Sequence, residues 1–149
     1  MSPRLLFIMR LLVLPVFVWA GFVAYGYSLN LVSEVIAIPK DRSLIYGVLL
    51  AQEFLSAASI SILLCYPLAF IYRKSAATAA FAVSLPVLVL TLPDLMDFDR
   101  RPIALAISAY GVLAYTVLLV AGTWLAQEHL ARANIATKRD APQAARPFP

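Results

Sequence analysis

The chain has 149 residues, of which 62% are hydrophobic and only 13% charged, with a net charge of +4 and a mean hydropathy of +0.85. Soluble domains carry about 25% charged residues, so the polar shell of a soluble fold of this size is missing, and the charges that exist cluster between long apolar runs. The basic excess lies at segment ends and in the tail, with no basic run interleaved with aromatics, which argues against a nucleic-acid partner.

Four apolar runs follow in chain order, each long enough to cross a hydrocarbon core of about 30 Å with roughly 20 residues. The first covers 11–29. Arg4 and Arg10 ahead of it, and Val18-Trp19-Ala20 before Gly21, loosely resemble a signal peptide. The apolar stretch is longer than such a peptide's core, so a retained first helix is expected. The second covers 44–72, about 42 Å at 1.5 Å per residue, and has to tilt or reach into the interfaces. The third covers 76–92 and should stop at Pro93-Asp94, and the fourth covers 102–126. Pro15, Pro67 and Pro86 fall inside apolar runs and each should kink its helix.

Punctuation agrees with these bounds. Asp41 or Ser43 can cap the second helix and Asp99 the fourth, with Pro102 in its first turn. Tyr25, Tyr27 and Tyr46 are expected in an outer aromatic belt, Tyr72 and Trp124 in an inner one. Beyond Gln127 the chain turns polar, and 131–149 reads as a basic, Pro/Ala-rich, disordered tail after a 1–130 transmembrane domain.

Topology follows from Lys/Arg asymmetry. Arg4, Arg10, Arg73, Lys74, Arg132, Lys138, Arg139 and Arg146 fall on one side; Lys40, Arg42, Arg100 and Arg101 fall on the other, beside Glu34, Asp41, Asp94, Asp97 and Asp99. This partition predicts an all-α, integral membrane four-helix transmembrane bundle with both termini inside, in a membrane of the bacterial inner (plasma) type.

Small residues mark helix contacts in lipid, where packing and hydrogen bonding replace the hydrophobic drive. The fourth helix has the clearest stripe, Ala104, Ser108, Gly111, Tyr115, Gly122 and Ala126; the third has Ala77, Ala80, Ser84 and Thr91. The second helix differs in kind. Gln52, Glu53, Ser56 and Ser59 form an intramembrane polar stripe within about 120° of arc, continued by Leu63 and Tyr66. Such a stripe has to face the bundle, a partner or a wet cavity.

Glu53 is the one ionisable group inside an apolar run, which makes it a functional-site candidate. Three roles are open to it: a structural carboxyl bonded to a neighbouring helix, a contact with a partner protein, or a titrating site for proton or cation coupling. Asp94, Asp97 and Asp99 could offer oxygen to a divalent cation, but Arg100 and Arg101 give them internal partners, and a solvated loop is the expectation. One cysteine, Cys65, and one histidine, His129, leave no disulfide and neither a zinc nor a haem ligand set within one chain.

No catalytic motif is present: no G-x-S-x-G, H-E-x-x-H or P-loop. The expectation is therefore a non-enzyme without cofactor, an integral subunit packing with other membrane subunits or copies of itself in lipid. The alternative is a small oligomeric transporter or channel that uses Glu53.

Overall fold

In a computed structural model the chain is all-helical, and residues 3–39, 42–96 and 102–140 are described; the side chains of 3, 4, 6, 42, 43, 94, 95 and 134–140 are not. Helix α1 is Pro3–Val35, α2 is Arg42–Tyr72, α3 is Ala76–Met96 and α4 is Pro102–Asp140. No strand occurs among the described residues. Three helical stretches are long and apolar enough to cross a membrane: Phe7–Val35, Leu44–Pro93 and Pro102–Ala133. The chain is thus consistent with a multi-pass integral membrane protein.

The 50-residue stretch Leu44–Pro93 covers most of both α2 and α3. Between them lies one 3-10 turn, Arg73–Ser75, and Arg73 carries the left-handed φ of 46°. A residue with a Cβ pays about 1–2 kcal/mol to occupy that region, yet the excursion reverses the chain within a single turn. Leu64 of α2 and Val83 of α3 then reach the same level, both against Gly21 of α1.

Cross-helix contacts order the bundle. Tyr72 Oη donates to the Arg10 carbonyl, Tyr25 Oη to Glu53, and Gln52 Nε2 to the Ile36 carbonyl, so α1 runs antiparallel to α2. Glu53 lies against Gly111, Cys65 against Gly122, and Cys65 and Ala69 pack with Ala126, so α2 and α4 run parallel. Among the described residues the main core cluster draws on all of these helices, and a smaller one joins Cys65 and Ala69 to Ala126; Tyr115, Leu68, Leu119, Val83, Thr123, Ser56 and Ser84 are fully enclosed. Helix α1 is peripheral, and among its described side chains it buries only a narrow edge, Gly21, Tyr25 and Ser28.

Several boundaries differ from the sequence expectation. Helix α3 passes Pro93 and ends at Met96, because a proline removes only one donor and a helix in lipid keeps its remaining bonds. Helix α4 continues to Asp140, so 131–140 is helical and not the disordered start of a tail. That stretch is rich in alanine and free of Gly and Pro until Pro142, and Glu128 pairs with Arg132 one turn on at 3.4 Å, a helix-supporting spacing. Tyr25 and Tyr72 are buried in the bundle instead of standing in aromatic belts, whereas Tyr27, Tyr46 and Trp124 face outward. Asp41, Asp97 and Asp99–Arg101 fall outside the described residues, as does 141–149; Ser43 and Asp94 are described in backbone only.

Gly21 lets α1 approach: a Cβ there would stand 2.8 Å from Val83 Cγ1, 3.0 Å from Tyr115 Oη and 3.3 Å from Leu64 Cδ1. Gly21→Ala should therefore lower stability by about 1–3 kcal/mol through overpacking. Gly26→Ala, with nothing within 4 Å, should be tolerated. Thermal unfolding in mild detergent checks the pair. By the same assay Arg73→Gly should gain about 1 kcal/mol, since glycine takes the left-handed φ freely.

Candidate functional site

Glu53 sits on α2 about 13 Å along the axis from Leu44 at 1.5 Å per residue, well inside the apolar stretch. Its carboxylate Oε2 accepts a hydrogen bond of 3.0 Å from Tyr25 Oη of α1. On the other side it lies against the α4 backbone at Gly111, so closely that a Cβ there would collide with Oε2 and Cδ. The same Cβ would stand 3.1 Å from Tyr25 Oη. Three helices therefore meet at one carboxyl, and the missing side chain of Gly111 makes the space for it.

Aromatic rings extend the cluster inward. Tyr25 and Tyr115 have centroids 4.7 Å apart with planes tilted by 35°, within the range of favourable ring pairs. Tyr115 is fully buried, and its hydroxyl has no hydrogen-bond partner among the described residues. It lies over Gly21, one turn from Tyr25 along α1.

The rest of the polar stripe divides. Gln52 is buried beside Glu53 and closes the end of α1 by donating to Ile36 O at 2.7 Å, satisfying a carbonyl that a helix terminus leaves open. Ser56 is fully buried and returns its hydroxyl to Gln52 O at 2.8 Å. Ser59 faces outward, bonded to Leu55 O of its own helix at 2.7 Å. Leu63 and Tyr66 are outward too. Gln52, Glu53 and Ser56 come together; Ser59 does not join them.

The stripe on α4 also divides. Gly111, Tyr115 and Ala126 are buried and Gly122 is half-buried, with a Cβ position 3.5 Å from Cys65 Cβ. Ser108 is half-buried and Ala104 is exposed. On α3, Ala80 and Ser84 are fully buried, Ala77 and Thr91 half-buried.

A second set was missed. Ala57, Ser61, Cys65 and Ala69 recur every four residues on α2 and are all buried. Cys65 and Ala69 of this row reach α4 at Gly122 and Ala126. The signal was in the sequence, a small-xxx-small series of the kind that lets membrane helices pack closely. Among the described residues no three His, Cys, Asp or Glu side chains lie close enough to hold a metal ion.

Comparison with family models, curated proteins and solved structures finds no match.

A double-mutant cycle isolates the central contact. Tyr25→Phe and Glu53→Ala should couple by about 0.6 kcal/mol, up to about 1.7, the range measured for hydrogen bonds between membrane helices. Glu53→Gln keeps an acceptor for Tyr25 and should cost less than Glu53→Ala, which orphans the hydroxyl at about 1–3 kcal/mol. Denaturant titration of the detergent-solubilised chain measures both.

Proposed function

We propose that the chain is a non-catalytic integral membrane subunit that packs with other membrane subunits or with copies of itself. In this reading α1 to α4 each cross the bilayer, and both termini face the cytoplasm of a bacterial-type plasma membrane. The clustering of Arg10 with Tyr72, and of Arg73 and Lys74 with Gln127, at one end of the bundle favours that orientation through the positive-inside tendency.

One observation carries the subunit reading. The glycines at 21, 111 and 122 serve contacts inside the chain, whereas Gly26 and Gly47 face outward with nothing within 4 Å. Glycine weakens a helix interior, and small residues on an outer face favour the close approach of another helix. Gly26 also borders an apolar groove of about 310 Å³ between α1 and α3, lined by Phe22, Val87 and Leu90 among others. Glu53 fits the same picture, since its carboxyl is engaged by Tyr25 and Gly111 of its own chain.

Purification in mild detergent, with native mass spectrometry of the product, tests the proposal. The expected result is a stoichiometric complex, foreign or homomeric, that Gly26→Leu or Gly47→Leu dissociates while leaving the chain folded. A monodisperse monomer, or assembly unaffected by both substitutions, would overturn it. Glu53→Gln should assemble normally. A stable Glu53→Gln protein that had lost a proton-linked flux would instead install the transporter reading.

A further inference from the structure

The 3-10 turn between α2 and α3 does more than reverse the chain. It borders a cavity of about 330 Å³ closed on its other side by α4. Arg73 and Lys74 supply its cationic lining and Gln127 a further polar group, while Ala69, Phe70 and Leu130 form apolar walls. Neither cation meets a carboxylate among the described residues; the ion pair recorded nearby, Arg132–Glu128, uses other groups. Phe70 is 70% exposed, so the apolar wall continues onto the outer surface of the bundle. A non-glycine residue held at φ 46° is costly, and strain of this kind collects at ligand sites.

From this arrangement we propose that the cavity binds the phosphate headgroup of an anionic membrane lipid. Arg73 and Lys74 face the phosphate, Gln127 donates to its ester or glycerol oxygens, and an acyl chain lies along Phe70 and Leu130. A cationic recess between helices at the end of a membrane-spanning bundle matches the chemistry by which anionic headgroups are held. Arginine suits such a position because its planar fork engages two phosphate oxygens at once. The apolar walls argue for a lipid over a free anion, which would have no use for Phe70. The inference rests on the chain being embedded in a bilayer; it does not depend on the subunit reading.

The full-length chain is reconstituted into vesicles of phosphatidylcholine containing phosphatidylglycerol. Retention in the vesicles after an alkaline carbonate wash tests embedding by itself, and release there would overturn the premise. Native mass spectrometry after detergent extraction then counts bound lipid. Wild type should retain phosphatidylglycerol in preference to phosphatidylcholine. Arg73→Gly with Lys74→Gln should weaken retention roughly 30-fold, the equivalent of about 1 kcal/mol for each of two cations beside an anionic surface. Because glycine relieves the backbone at position 73, the variant should stay folded, and Lys74→Gln alone should show a smaller loss. Arg132→Gln with Arg146→Gln removes the same charge elsewhere and should retain the lipid. Equal loss in the two double variants, equal retention of both lipids, or displacement of the lipid by millimolar inorganic phosphate would each overturn the proposal.

Discussion

A carboxyl placed among hydrocarbon has to find its partners inside the protein, and the arrangement of this bundle follows from how Glu53 does so. Tyr25 of α1 reaches it from one side and the bare backbone of α4 at Gly111 closes on it from the other. Charged or polar groups at such depth are tolerated only when paired. This fixes the height of α1 relative to α2, and of α2 relative to α4. Gln52, one residue earlier, ties down the end of α1 by the same logic. Polar contacts set the register; small residues then let the helices close.

Closing is achieved differently on the two faces of α2. Towards α4, Cys65 and Ala69 of the buried small-residue row meet Gly122 and Ala126, and parallel helices approach there. Towards α1 and α3 the contacts are larger, with Leu64 and Val83 meeting at Gly21. Without a hydrophobic gain between helices in lipid, such packing carries the association. Helix α1, held by Gly21, Tyr25 and the Tyr72–Arg10 bond, is the least enclosed element. Its outward glycine and the groove beside it are the features on which the proposed subunit contact stands.

The two ends of the bundle differ in chemistry. Around Glu53 and Gln52 the polar side chains bond within the chain, the buried Tyr115 hydroxyl excepted. At the opposite end Arg73 and Lys74 stand beside a cavity, on a turn whose left-handed backbone a glycine would adopt at no cost. The proposed lipid site and the proposed assembly surface therefore use separate parts of the molecule.

Length, apolar runs and scarce charge were enough to read an all-helical chain with helices long and apolar enough to span a membrane, because the bilayer demands internal hydrogen bonding and about 20 apolar residues per crossing. Gly111, Tyr115, Gly122 and Ala126 were legible as a seam, and Glu53 as the exceptional carboxyl, for the same reason. Its partner was not: Tyr25 looked like a belt residue, since nothing local distinguishes a tyrosine at an interface from one bonded to a helix 28 residues away in sequence. Of the stripe on α2, Ser59, Leu63 and Tyr66 turn outward in the fold, because projection at 3.6 residues per turn assumes a straight seam. The buried positions instead step by four, following a neighbour whose crossing only the folded arrangement sets. The break between 72 and 76 was legible, but the left-handed backbone at Arg73 was not, since an arginine carries no signal for such a turn and adopts it here between two packed helices.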